Sequence, residues 1–161
     1  MITIRPIEPQ DRAQLLSLVE QQDNFNAQEV EVAIEVIDDT LDPAKNDYSI
    51  LVAIREGQGV VGFICYGEIP MTDRRFDLYW VAVAPALGRQ GVGRRLLARM
   101  EGDMRAQGSA KVYVDTSSTP GYDRARSFYE KNGYQVACVL HDFYRDGDDK
   151  VIYLKEICMY S

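Results

Sequence analysis

Six residues, Gly88-Arg89-Gln90-Gly91-Val92-Gly93, stand between a stretch that reads as a strand and one that reads as a helix. Glycines let backbone N–H groups turn toward a ligand without a Cβ in the way. The first turn of a helix adds unpaired donors and the positive end of its dipole. Together these features make a cradle for a pyrophosphate. Helix starts are usually capped by Ser, Thr, Asp or Asn. None stands here, which leaves room for an exogenous anion as the cap. The competing reading is that Gly91 and Gly93 only shape a tight turn.

Two other phosphate motifs can be weighed against this loop. A Walker A loop needs Lys and Ser or Thr after its last glycine, and Gly93 is followed by Arg94-Arg95. A dinucleotide fingerprint fits Gly91 and Gly93, with Asp115 about where its ribose-binding acid belongs. Its third small residue falls on Leu96, the strand-to-glycine connection is long, and few βα units follow. It stays a distant second.

The loop is locally basic in an acidic chain. Net charge is −7, yet residues 86–107 hold five arginines against Glu101 and Asp103. A small anionic ligand held there, and a cationic second substrate drawn to the acidic remainder, fit this asymmetry. Bulk nucleic acid does not. The four aspartates of residues 142–149 read more simply as a solvated run. Cys65, Cys138 and Cys158 are odd in number, widely spaced and set in apolar stretches, so buried inert thiols are expected. With His141 as the single histidine, neither a metal site nor a Cys–His pair can be assembled. No apolar run is long enough to cross a bilayer, and the N-terminus lacks a signal-peptide core. A soluble cytoplasmic protein without a membrane partner is expected.

The surrounding elements must position the loop. Hydrophobic residues make up 46% of 161 residues, enough for one domain, 1–161, with one substantial core. Strands are expected over 2–7, 49–55, 60–69, 76–83, 111–115, 134–143 and 151–157, the last two as a hairpin. Helices are expected over 9–22, with Ala13, Leu16 and Val19 inward, and over 26–41, with Val30, Ile34, Ile37 and Leu41 inward. A third helix, 91–107, carries Val92, Leu96, Leu97, Met100 and Met104 on one stripe and ends at Gly108. A fourth opens at Thr119-Pro120 and ends at Asn132-Gly133. The order β-α-α-β-β-β-α-β-α-β-β implies an α/β fold: a mixed, mostly antiparallel sheet flanked by helices on both faces.

With two motifs in hand, the chain resembles the GCN5-related N-acetyltransferases. The stretch from Val81 to Gly93 is similar to that family's strand–loop–helix signature, Arg/Gln-x-x-Gly-x-Gly/Ala. The stretch from Tyr122 to Tyr134 is similar to its Asn-x-x-Ala-x-x-Phe-Tyr signature followed by Gly-Phe/Tyr. The resemblance covers nearly the whole element order. Two departures are visible: Gly88 stands where Arg or Gln is usual, displacing Arg89 and Gln90, and Tyr122 stands where Asn is usual.

The resemblance implies an acetyl-CoA-dependent N-acetyltransferase without a metal, a small-molecule or peptidic amine acceptor, and a homodimer as a family-level expectation. It implies a cofactor site made by Val81 and Val83, by Gly88, Arg89, Gln90, Gly91, Val92, Gly93 and Arg94, and by Tyr122 and Arg126. Acyl transfer from a thioester requires a neutral amine, although an alkylamine has a pKa of roughly 10.4. It also requires a donor for the oxyanion and one for the departing thiolate. The resemblance puts Tyr129 at the thiolate, with Phe128 turned to the core, and Asp77 at the place of a catalytic acid. Glu68, or a water relay with no dedicated base, competes with Asp77. Acceptor choice is expected from the helices around Phe25-Asn26 and the hairpin near Tyr144. A non-catalytic acyl-CoA-binding module remains an alternative.

Overall fold

A computed structural model describes residues 1–159. Its strands are β1 (Ile2–Pro6), β2 (Ser49–Arg55), β3 (Gly59–Glu68), β4 (Arg75–Val83), β5 (Ala110–Ser117), β6 (Gln135–Arg145) and β7 (Asp148–Ile157). Its α-helices are α1 (Arg12–Glu20), α2 (Ala27–Leu41), α3 (Val92–Arg105) and α4 (Asp123–Lys131), with single 3-10 turns at Pro9–Asp11, Pro85–Leu87 and Pro120–Tyr122. The element order is the one the sequence implies. The strands form one sheet in the order β1-β2-β3-β4-β5-β7-β6. Every neighbouring pair is antiparallel except β4 and β5.

Two cores sandwich the sheet. One face packs on α3 and α4 through Leu78, Val92, Leu96, Leu97, Met100, Val112, Val114 and Tyr153. The other packs on α1 and α2 through Leu15, Leu18, Val19, Ala33 and Ile37 against β2, β3 and β4. The stripe expected on α3 is buried as read. That on α1 is rotated: Leu15, Leu18 and Val19 are buried and Ala13 is exposed. The capping box of Asn26 and Glu29 fixes the start of α2, with the Asn26 side chain accepting from the Glu29 N–H at 2.8 Å.

Several sequence expectations change. Cys65 is buried, and burial pushes its thiol up to about 12, but Cys138 and Cys158 are exposed. Cys138 lies on β6, an edge strand exposed along its whole length, so its apolar neighbours do not bury it. The aspartate run is a structural knot. Asp148 is 4% exposed and accepts from Arg145 at 2.7 Å, and Asp149 accepts from the Asp142 N–H at 2.9 Å. The arginines of α3 also divide. Arg95 and Arg99 each donate to β1 carbonyls at 2.8 Å, on Ile2 and Ile4, which occupies acceptors along that sheet edge.

Candidate active site

The parallel pairing of β4 with β5 lasts only from Arg75 to Asp77, opposite Lys111 to Tyr113. β4 then runs on to Val83 and β5 to Ser117, without further pairing between them. A bulge accompanies this splay. Cys65 of β3 pairs with Trp80 and Tyr66 with Leu78, leaving Tyr79 as an extra residue in β4. A bulge bends its strand and re-phases the side chains beyond it. Phe76 and Leu78 face the α3 core before the bulge, and Val81 and Val83 face it afterwards. Trp80 and Ala82 turn to the α1–α2 core.

A cleft of about 930 Å³ lies beside the freed end of β4, lined by Val81, Val83, the glycine loop, the start of α3 and one face of α4. Arg89 has φ 67° and Gly91 has φ 80° and ψ 10°, both left-handed. Gly91 is the N-cap of α3 and offers no side-chain cap. Among the described residues, no protein acceptor meets the N–H groups of Gly91, Val92, Gly93 or Arg94. Gly93 serves a different purpose, because a Cβ there would stand 3.3 Å from the Phe128 ring and 3.6 Å from Val81. Phe128 therefore does more than fill the core: its ring closes the cleft beneath the α3 N-terminus. The cations on the cleft wall are Arg89, Arg94, Arg124 and Lys131. Donors, dipole and cations converge on one place, as a diphosphate requires.

Tyr129 reaches the same cleft from α4. It is 7% exposed, and its ring packs against Phe128, Tyr134 and Tyr153 at centroid distances of 5.4, 5.8 and 6.2 Å. Burial raises its phenol well above the usual range, so it stays protonated and remains a donor. Among the described residues its hydroxyl has no hydrogen-bond partner.

Asp77 lies in the last parallel pair, at the vertex of the splay. Its carboxyl is raised above the ordinary range, first by burial and then by the charge of Asp115, against the opposing effects of Lys150 and a hydrogen bond from Tyr79. Glu68 is exposed at the end of β3. His141 is exposed on the β6–β7 hairpin, 3.1 Å from Asp149. Beside Asp77 an aromatic strip runs from Tyr48 to Tyr79 (5.5 Å), Trp80 (6.1 Å) and Phe25 (6.3 Å).

Of the residues expected at the cofactor site, the structure brings together Val81, Val83, Gly88, Arg89, Gly91, Val92, Gly93 and Arg94, with Tyr129. Gln90, Tyr122 and Arg126 stand outside the cleft wall. The Arg126 guanidinium donates to the carbonyls of Ser117 and Thr119 and pairs with Asp123, tying α4 to the end of β5. Ala125, the alanine of the second motif, also lines the cleft, and so do Arg124, Lys131 and Asn132, which were not expected at the site. Helical spacing from Phe128, at three or four residues either side, is the signal that finds them.

This geometry and the sequence converge in comparison with known proteins. A family model described as an acetyltransferase (GNAT) domain matches residues 46–136. A solved structure assigned to the GNAT acetyltransferase family, from Desulfovibrio desulfuricans, is 38% identical, with a TM-score of 0.92 over 98% of this chain and 100% of that one. The chain belongs to the GNAT acetyltransferase family. Two further GNAT-like folds are more distant in sequence. The ribosomal-protein-S18-alanine N-acetyltransferase from Escherichia coli is 21% identical, with a TM-score of 0.78 over 100% and 97% of the chains. The PaiA N-acetyltransferase from Thermoplasma acidophilum, solved with coenzyme A, is 21% identical, with a TM-score of 0.70 over 97% and 99%. Comparison with curated proteins finds no match. The GNAT assignment removes the dinucleotide reading, because the glycine loop feeds a mostly antiparallel sheet with a single parallel pair. Among the described residues no group of His, Cys, Asp or Glu is arranged to hold a metal, and no helix is long and apolar enough to cross a membrane.

Proposed function

We propose that the chain acts as a single acyl-CoA N-acyltransferase domain that moves an acetyl group from acetyl-CoA to a primary amine on a small molecule or peptide. The observation that carries this reading is the convergence, in one cleft, of the uncapped α3 N-terminus and the unpartnered, protonated Tyr129 hydroxyl. When bound, acetyl-CoA supplies an acyl group activated as a thioester for attack by a neutral amine.

The chain's own residues do the rest. The N–H groups of Gly91, Val92, Gly93 and Arg94 hold the diphosphate, with Arg89, Arg94, Arg124 and Lys131 balancing its charge. The freed backbone edge of β4 beyond Asp77 offers donors and acceptors to the pantetheine arm. Tyr129 Oη donates a hydrogen bond to the departing sulfur, a role for a weak acid that stays protonated at neutral pH. Asp77 accepts the proton of the incoming ammonium, and its raised pKa brings it closer to that task than an exposed carboxylate. The aromatic strip from Tyr48 to Phe25 and the acids Asp77 and Asp115 suit a cationic acceptor.

Calorimetric titration with acetyl-CoA, free coenzyme A and NAD tests the binding half of this reading. Saturable binding of the first two and none of NAD is expected. Binding of NAD alone overturns it.

A further inference from the structure

Glu101 is a charged residue on the apolar side of α3, 6% exposed, and the chemistry above does not use it. Its Oε2 accepts from the Tyr134 hydroxyl at 3.0 Å, and its Oε1 accepts from Lys155 Nζ at 2.8 Å. Lys155 Nζ donates a second bond to the Asn132 carbonyl at 2.8 Å and sits 5.5 Å from the centre of the Tyr134 ring. Both Asn132 and Tyr134 grip Tyr129. Their N–H groups donate to the Tyr129 carbonyl at 3.1 and 3.0 Å, and the Tyr134 ring is one wall of the Tyr129 packing site. Asn132 also lines the cleft.

A buried carboxylate is costly to desolvate unless its partners are in place, so such a network has one favoured arrangement. Here that arrangement joins three elements: α3, the turn closing α4, and β7. The helix that carries Glu101 is the one whose first turn faces the diphosphate. Glu101 stands nine positions after Val92, a rise of about 14 Å along the helix. α3 therefore works as a rigid spacer between the anion end of the cleft and the pin that holds Tyr129.

We propose that Glu101, through Tyr134 and Lys155, is a positioning residue that sets where the Tyr129 hydroxyl stands in the cleft. This rests on the reading of Tyr129 as the hydrogen-bond donor to the leaving sulfur. Glu101 touches no substrate; its effect on turnover passes through Tyr129.

The test is a double-mutant cycle, with kcat and coenzyme A affinity measured for each variant. Glu101→Gln is expected to lower kcat about tenfold or more while leaving the Kd for coenzyme A within about twofold, since small displacements of a reacting group are costly. In a Tyr129→Phe background the same substitution is expected to change kcat by less than about twofold, because the group it positions is gone. Tyr134→Phe, which keeps the ring and removes only the hydroxyl, is expected to give the same pattern. It serves where Glu101→Gln is poorly folded. Equal losses in both backgrounds, or a loss of coenzyme A affinity matching the loss of kcat, overturn the proposal and leave a merely structural network. The underlying reading has its own arm: if Tyr129→Phe alone turns over at the wild-type rate, the donor assignment itself is wrong.

Discussion

Gly91→Ala isolates the conformation of the loop from its chemistry. The residue sits at φ 80°, and a Cβ added there meets nothing within 4 Å, so the substitution introduces backbone strain and no clash. An L-residue held in the left-handed region costs roughly 1–2 kcal/mol. Loss of glycine's freedom in the unfolded chain returns about 0.4–1 kcal/mol of that. The remaining strain can be expressed in two ways. If the loop stays left-handed, the protein loses stability, about 2–4 °C in Tm for each kcal/mol at this size. If it relaxes, stability is spared, but the donors of α3 leave their ligand-bound positions and coenzyme A affinity falls, tenfold for every 1.4 kcal/mol. The losses in stability and binding should therefore add to between about 0 and 1.6 kcal/mol, about 0.8 kcal/mol at mid-range. Gly91→Asn should lose less, because Asn tolerates this region. Differential scanning fluorimetry and calorimetric titration measure both parts. A Gly91→Ala protein with a raised Tm and wild-type affinity, the result of losing glycine's freedom with no strain to offset it, would refute the argument that this cap must be left-handed to present its donors.

Other outcomes follow from the same geometry. Gly93→Ala should raise KM for acetyl-CoA with little change in Tm, since its Cβ presses on the Phe128 ring in the cleft floor while alanine favours the helix by about 0.5–1 kcal/mol. Asp77 has a folded pKa raised by burial and Asp115, so its ionisation opposes folding: the stability it contributes is present below its unfolded pKa and is lost as pH rises through the folded value. Asp77→Asn should thus be at least as stable as wild type at neutral pH while losing kcat, as chemical denaturation and steady-state kinetics would show. Asp11 is the reverse case. Arg5 holds its carboxyl below the ordinary range through bonds of 2.7 and 2.9 Å. Its stability is present above the unfolded pKa, near roughly 4, and is lost as pH falls through the folded value. Asp11→Ala should cost about 3 kcal/mol at neutral pH, and the difference from wild type should shrink on acidification.

The parts of this fold legible in the sequence are those set by local pattern. The stripe of α3, the Gly88–Gly93 loop and the element order all follow from periodicity and turn residues. The Tyr79 bulge did not show, because the run Leu78-Tyr79-Trp80-Val81 is apolar or aromatic throughout and conceals the change of phase. Nor did the placement of β7 between β5 and β6, which depends on contacts remote in sequence. Glu101 entered the sequence reading only as a charge offsetting the arginines around it, because a buried carboxylate is recognised only by its partners, and those lie 33 and 54 residues away. Cys138 failed for the converse reason: apolar neighbours on an edge strand do not ensure burial.

The most direct test of acetyl transfer in this cleft is acetyl-CoA-dependent thiol release over a panel of amines spanning polyamines, aminoglycosides, amino acids and peptide N-termini. Release well above the hydrolytic background with at least one cationic amine, slowed in Tyr129→Phe, is the expected result. Tight coenzyme A binding with no release over background for any amine would contradict the account and leave a binding module without the chemistry.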